Sequence, residues 1–419
     1  MNQHASGRSG NIKNFQPYYE DVIRTLTGSR LQPPASLRPA EGTGLIVVTH
    51  VMPNTPSFLA ALEKVAPIRA VIPKGSSVHY PDIVAQIKRR YPLREDITKE
   101  MLDSSPSIAM DLIDKSIPPG ESFLIADHGK YFASAIPALE RRYGDRLIAV
   151  TETTLNGDIQ HRKGMRKHTV QATSIARTEF KAVSDNDIGK NVIDALQSLL
   201  VQQNGTNLSQ HKIGIVGFGT IGSAVAAALR AKGIEPLVYD IHHGRKTAAV
   251  AQHYMLSQDQ SDGITAKEHL LQSCDVLVFA TGNRGLKKND FSHIRSGATL
   301  AMCTSMDDEI DLPAFREEYT LTNHTPFAHT YRNRHTGQTI NLLLNGKAVN
   351  FYVPEVNNTI ALVEAGRIAA ILEHLEKRGQ TRPSAGQNCL RDNVEPDSEF
   401  VINHLWRKHF SPTPATYVS

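Results

Sequence analysis

The chain reads as an α/β protein of two lobes, a parallel-sheet nucleotide domain inserted into a second α/β domain. Three observations predict it. Apolar strand-length runs alternate with helix-length segments from Gly44 to Gly157, the pattern of a parallel sheet covered on both faces. A glycine-rich strand-to-helix turn stands at Lys212–Gly222. Two long helical segments, near 184–203 and 357–377, would connect the lobes. At 419 residues the chain is long enough for two or three domains with full cores.

Residues 1–40 are polar and punctuated by proline, with one helix expected around Tyr18–Thr27. Strands are expected at Leu45–His50, Arg69–Pro73, Phe123–Asp127 and Leu147–Thr151. Between them fall helices such as Thr55–Val65, Tyr80–Arg90 and Phe132–Tyr143. The segment Ile175–Gln203 reads as mostly helical and leads into the glycine turn. Later strands are expected at Asp275–Thr281 and Ala298–Thr304, with a hairpin over Thr339–Phe351 turning at Asn345-Gly346. Asn357–Lys377 reads as a helix with apolar positions Ile360, Val363, Ala365, Ile368 and Leu372. The expected domains are 1–190 for substrate, 191–352 for the nucleotide, 353–378 as a returning hinge helix, and a tail at 379–419 that packs on another surface.

The turn reads KIGIVGFGTIG. Ile213, Ile215 and Val216 lead into Gly217, Gly219 and Gly222, while Thr220 and Ile221 open a small-residue helix. A second strand (Leu237, Val238, Tyr239) ends on Asp240, eighteen residues beyond Gly222. Gly217 permits a tight turn, Gly219 lets the backbone approach a pyrophosphate, and Gly222 lets helix and strand pack closely. The helix N-terminus offers unpaired N–H groups to the phosphates. A structural glycine turn is the bland alternative, but strand, turn, helix, strand and acid stand in the order of a Rossmann dinucleotide site. Asp240 suits ribose hydroxyls, which favours NAD over NADP, and Thr281 and Gly282 are further candidate contacts.

The net charge of +4 is spread out, and no Lys/Arg-rich block suggests nucleic acid. Cys274, Cys303 and Cys389 lack metal-ligand spacing and read as free thiols in a reducing compartment. The first residues have no apolar signal core, and no run approaches the ~20 apolar residues of a membrane span. A cytoplasmic protein is expected, with a small-molecule substrate, no nucleic-acid or membrane partner, and no metal centre.

A second constellation lies at the ends of the first domain's expected strands. His50, Asp127 and Glu152 end three of them, followed by Thr153 and Thr154. Lys181 and Asp185 stand four apart on a helical segment and so share a face, with Asn186 next. Each alone reads blandly as a core histidine, a loop cap or an exposed ion pair. Together, beside a dinucleotide, they read as a site. His161, Asn283 and His128 are further, unranked candidates.

On these segments the chain resembles the S-adenosylhomocysteine hydrolase family, from about Leu45 to Lys377. TETTLNG (Thr151–Gly157) is similar to that family's EETTTG, and KAVSDN (Lys181–Asn186) to its KSKFDN. HVMPNT (His50–Thr55) is similar to HMTVQT, GFGTIG to GYGDVG, and GKAVNF (Gly346–Phe351) to GRLVNL. The resemblance implies bound NAD that transiently oxidises a ribose 3′-hydroxyl before a 5′ substituent leaves. It implies that Lys181 handles the hydroxyl proton, Asp185 and Glu152 hold the diol, and Asp127 and His50 act on the 4′ proton and leaving group. Thr153, Thr154, Asn186 and Asn350 would touch NAD. The family's homodimers and homotetramers are implied as well.

The chain departs from that family at the substrate end. Ser305 replaces a His, Asn357 falls where GHP is lost, and Met52 and Asn54 replace Thr and Gln beside Thr55. The family's KPDHYRY tail has no counterpart. Asn54, Thr55, Ser305 and Asn357 are therefore the candidate substrate residues. The expected function is an NAD-dependent enzyme that oxidises the 3′-hydroxyl of a nucleoside or related sugar and eliminates a 5′-side group, as a lyase or a hydrolase. Alternatives are a genuine S-adenosylhomocysteine hydrolase and a non-catalytic NAD-binding regulator. A last alternative is a 2-hydroxyacid dehydrogenase, which would need an Arg and a His–carboxylate pair in the nucleotide domain. Arg284, His293, His324 and His329 are available but stand in no recognised pattern.

Overall fold

The computed structural model describes residues 14–30, 42–75, 80–164, 168–304, 306–352, 356–378 and 389–410. Fourteen strands occur among them: β1 Thr43–Thr49, β2 Ile68–Pro73, β3 Ser122–Ala126, β4 Leu147–Glu152, β5 Gln171–Ser174, β6 Ile213–Val216, β7 Leu237–Tyr239, β8 Met255–Leu256, β9 Val276–Phe279, β10 Ala298–Met302, β11 Tyr319–His324, β12 Ala328–Asn333, β13 Thr339–Leu343 and β14 Leu390–Arg391. The described chain forms two compact units. The inserted unit is built on Asp185–Glu355, and the outer unit on the described residues before and after it.

The outer unit carries a six-stranded sheet in the order β14-β5-β4-β3-β1-β2, parallel throughout. Its central strands are buried on both faces, which is why β1 (TGLIVVT) shows no polar alternation. One face is covered by helices Gln16–Arg30, Thr55–Val65 and Ile360–Glu376 around a common apolar core. Helix Pro396–Phe410 packs on the first and last of these. The other face holds Pro106–Ser116 and Ile136–Tyr143. Part of the polar C-terminal tail thus has a defined role: β14 extends the sheet edge and the next helix seals the core.

The inserted unit carries an eight-stranded sheet in the order β11-β12-β13-β10-β9-β6-β7-β8. Strands β6 to β10 and β13 run parallel in the doubly wound order, with the switch point between β6 and β9. The fold is therefore α/β, with a Rossmann-type sheet and a second sheet domain. Helix Glu179–Asn204 enters this unit from the outer one. Gly189 on it has no room for a Cβ, which would overlap the backbone of Ala224.

The expected hairpin at Asn345-Gly346 is not formed. β13 ends at Leu343, and a short 3₁₀ turn follows with Asn345 at φ 53°. The hairpin partner of β13 is the preceding β12, and β11 pairs β12 in turn. The Asn-Gly pair serves as a turn, but Ala348 then bridges back to Met302 at the end of β10 instead of starting a strand.

Candidate active site

In the inserted unit the glycine turn has the geometry its sequence demands. Gly217 sits at φ 101°, and a Cβ on it would lie 2.9 Å from the carbonyl oxygen of Ala280. A Cβ on Gly222 would overlap the carbonyl of Gly217, so only glycine allows helix Thr220–Ala231 to start this close to β6. Gly219 is the N-cap, leaving the first amides of that helix unpaired by a capping side chain. Thr220 is exposed there and Ile221 partly buried.

Asp240 is buried at the end of β7. Its Oδ2 accepts from the amide of Phe218 at 2.7 Å and its Oδ1 from that of His242 at 2.7 Å. The carboxylate thus ties the glycine loop to the second strand and sits at its rim, with Arg245 3.5 Å away. Two further features suit a dinucleotide. Thr281 and Gly282, just past β9, are both held by the buried Glu309 carboxylate, through the Thr281 hydroxyl and the Gly282 amide. Asn350 is buried, and its Oδ1 has no hydrogen-bond partner. Glu309 was not singled out from sequence, since it stands among the acids Asp307, Asp308 and Asp311 in TSMDDEID.

In the outer unit, parallel strands β2, β1, β3 and β4 end side by side. Lys74, His50, Asp127 and Glu152 stand at or just past their carboxyl ends. The rings of His50 and His128 meet edge to face at 4.8 Å between centroids. Gly129, at φ 90°, lies so near Lys74 that a Cβ would come within 2.8 Å of its Nζ. Burial, and then the charges of Lys74, His50, Arg367 and Lys181, hold the His128 imidazole well below its usual pKa. His128 is therefore a neutral base among cations.

The two acids of this cluster do different work from that expected. Asp127 accepts from the amides of His128, Tyr131 and Phe132. Glu152 accepts from the amides of Gly129, Lys130, Thr153 and Thr154 and from the Thr154 hydroxyl. They hold the loop over 127–132 and the turn after β4. Thr153 is fully buried, and Thr154 caps helix Leu155–Gly164 by accepting from the amide of Gly157.

Two expected substrate residues are also internal. Asn54 donates to the buried Glu364, and Thr55 donates to the carbonyl of His50 while accepting from the amide of Met52. Asn357 is half-buried just before helix Ile360–Glu376. Ser305 lies outside the described residues. Lys181 and Asp185 share a face of helix Glu179–Asn204 as expected, both half-buried, and Asn186 is exposed on it.

Arg367 organises this strand edge. It is buried, and its guanidinium donates to the carbonyls of Val48 at 2.8 Å and Ala126 at 3.1 Å, the ends of β1 and β3. It also lies over the ring of Phe58. Burial lowers its pKa to about 10, which leaves it a cation at neutral pH. The sequence signal was there: Glu364 and Arg367, three residues apart, interrupt the apolar first three turns of the helix.

Comparison with known proteins bears on the inserted unit. Residues 195–300 match the family model described as D-isomer specific 2-hydroxyacid dehydrogenase, NAD binding domain. NAD-dependent malic enzyme 1 of Bacillus subtilis (strain 168) is 25% identical over 166 residues, 40% of this chain and 35% of the relative. The chain thus spans about a third of that relative's length. A putative D-3-phosphoglycerate dehydrogenase oxidoreductase from Ralstonia solanacearum is 12% identical with a TM-score of 0.43, covering 85% of this chain and 98% of its own. A phosphoglycerate oxidoreductase from Vibrio cholerae O395 is 10% identical with a TM-score of 0.36, covering 65% and 79%.

These findings give the cofactor as NAD, and the nucleotide module is that of an NAD-dependent oxidoreductase. They overturn the resemblance to S-adenosylhomocysteine hydrolases. The nucleotide segment matches the dehydrogenase model, and the short matched motifs include TETTLNG, whose Glu and Thr residues serve the local loop. The nucleoside 3′-oxidation, the lyase or hydrolase outcome and the roles tied to them fall with it. Among the described residues no helix is long and apolar enough to cross a membrane.

Proposed function

We propose that the chain is an NAD-dependent oxidoreductase of a small hydroxy acid, whose anionic group is recognised by the cluster of Lys74, His50, His128 and Lys181. The observation that carries this is the match of residues 195–300 to the NAD-binding domain of D-isomer specific 2-hydroxyacid dehydrogenases. The orphan oxygen of Asn350 and the space kept by Gly217 and Gly222 fit that cofactor.

When bound, NAD supplies the hydride acceptor. The chain's own groups supply the rest. Lys74 and Lys181 attract a carboxylate or phosphate in a partly desolvated setting, where charge counts for more than in water. His128, kept neutral, would take the proton of the substrate hydroxyl. His50 packs against the His128 ring and orients it. Asp127 and Glu152 keep the loop bearing His128 in place.

The inserted unit does hold a His–carboxylate pair, His293 with Glu268 at 3.2 Å. However, Glu268 also closes the capping box of helix Ala266–Ser273, so the pair is assigned a structural role. His324 and His329 face each other across β11 and β12, 5.9 Å apart between ring centroids.

The test is a panel of 2-hydroxy acids with NAD, and of 2-oxo acids with NADH, followed at 340 nm. Turnover of order 1 per second or faster with one acid, with a raised KM but measurable turnover in Lys74→Met, is the expected result. NADH binding without turnover of any acid would overturn the substrate assignment while leaving the cofactor in place.

A further inference from the structure

A second, buried site lies beneath that strand edge, and it does not depend on the proposed activity. Asp127, Glu152 and His161 each point one ligand atom into a common space, all within 4.8 Å of one another. All three side chains are fully buried, His161 at 1% exposure. The His161 Nε2 has no hydrogen-bond partner. It lies 3.8 Å from Asp127 Oδ2 and 3.9 Å from Glu152 Oε2.

We propose that Asp127, Glu152 and His161 form a binding site for a divalent transition-metal ion of the zinc class. Sequence reading expected no metal here, because the three ligands come from two strand ends and a helix and share no recognisable spacing.

The hydrogen bonding of the carboxylates argues for it. Asp127 Oδ1 takes two amide donors, yet Oδ2, the oxygen facing His161, takes only the amide of Phe132. Glu152 Oε1 takes four donors, yet Oε2, again the one facing His161, takes only that of Lys130. The outer oxygens are thus fixed by backbone while the inner ones keep a lone pair. That is the arrangement in which an outer shell orients metal-binding carboxylates. Gly157 contributes by absence, since a Cβ on it would overlap the Glu152 carboxylate.

The distances separate a metal from a proton. A proton on Nε2 would need an oxygen at about 2.7–3.2 Å, and it could serve only one of the two acids. Bonds of about 2.0–2.2 Å to one nitrogen and two oxygens place the ligand atoms roughly 3.4 Å apart in a tetrahedron. The observed 3.8 and 3.9 Å from His161 would close by about half an ångström, and the acid–acid pair, within 4.8 Å, by up to about 1.4 Å. Two buried carboxylates also call for compensation. Arg367 supplies part of it through its charge, but gives its N–H groups to the strand carbonyls and not to these oxygens. The hard oxygen and imidazole donors, with no thiolate, suit zinc or manganese over copper(I).

The test uses the full chain, stripped with a chelator and titrated with zinc ion by calorimetry. One ion per chain is expected, with affinity falling by 10- to 100-fold or more in His161→Gln. With 18 histidines in the chain, surface binding is the main competitor. Zinc binding unchanged in His161→Gln, or no binding to the wild type, overturns the site. Should that variant not fold, X-ray absorption of the zinc-loaded wild type decides. A shell of oxygens with a single imidazole supports the site. Two or more imidazoles, or any sulfur, overturn it.

Discussion

At the residue scale, the nucleotide turn depends on atoms that are missing. The Cβ of Gly222→Ala would collide with the Gly217 carbonyl, which is backbone and cannot step aside. NADH affinity, read by fluorescence titration, is expected to fall at least tenfold. Gly244→Ala is the control, as nothing lies within 4 Å of its added carbon. His128 gives a pH signature. Burial and neighbouring cations hold its pKa well below 6.5, so it stays a proton acceptor across neutral pH and loses that capacity only in acid. The acid limb of kcat/KM is therefore expected below pH 6.5. Lys74→Met, which removes one of the cations, should move the limb upward. His128→Gln should abolish it and cost about 10²–10⁴ in rate. An acid limb unmoved in Lys74→Met would remove Lys74 from the site.

At the element scale, helix Ile360–Glu376 is buried along almost its whole length, yet carries Glu364 and Arg367. Arg367 caps two strand ends. Glu364 joins three elements, accepting from Tyr19 on helix Gln16–Arg30 and from Asn54 at the start of Thr55–Val65. Burial raises its pKa from 4.5 to about 7, although those hydrogen bonds pull the other way. The folded chain thus holds this proton more tightly than the unfolded one. The resulting stability is fully present below pH 4.5 and is lost as pH rises through about 7. Urea unfolding of the wild type and Glu364→Gln at pH 5.5 and 8 measures it. The variant is expected to lose less stability between the two pH values. An equal loss would show that Glu364 is not the titrating group.

At the scale of the whole molecule, the three cysteines report on the two units. Cys274 and Cys303 belong to the inserted unit and Cys389 to the outer one, and all three are buried. Burial raises the Cys274 thiol to about 11 and pushes Cys303 higher still, so the folded chain resists alkylation. Labelling must await opening. NADH at about 100 times its Kd adds roughly 2.7 kcal/mol to the unit that binds it, slowing opening-limited labelling about 100-fold. Mass spectrometry of alkylated peptides is expected to show that protection at Cys274 and Cys303 but not at Cys389. Equal protection at all three would mean that the chain opens as one cooperative body.

Much of the fold was legible in the sequence because its signals are local. Continuous apolar runs mark β1, β3 and β4 since both sheet faces are covered, and helix Thr55–Val65 was expected with those bounds. The NAD turn was legible for the same reason: three glycines and an acid must stand at set spacings for one backbone shape. The site in the outer unit was only half legible. His50, Asp127, Glu152 and Lys181 were found at strand and helix ends, but a side chain's role depends on which partners claim it. Amides of its own loop claim Asp127, and the amides of Gly129 and Lys130, brought near only when β3 and β4 lie side by side, claim Glu152. The Asn345-Gly346 turn failed as a hairpin because the partner of β13 was decided by the preceding strand, not by the turn. By itself, then, the sequence determined the central strands, several of the helices and the cofactor, which rest on near-neighbour chemistry. Only tertiary structure decided what Arg367, Glu364, Glu309 and His161 do, because each acts on groups brought to it by other elements.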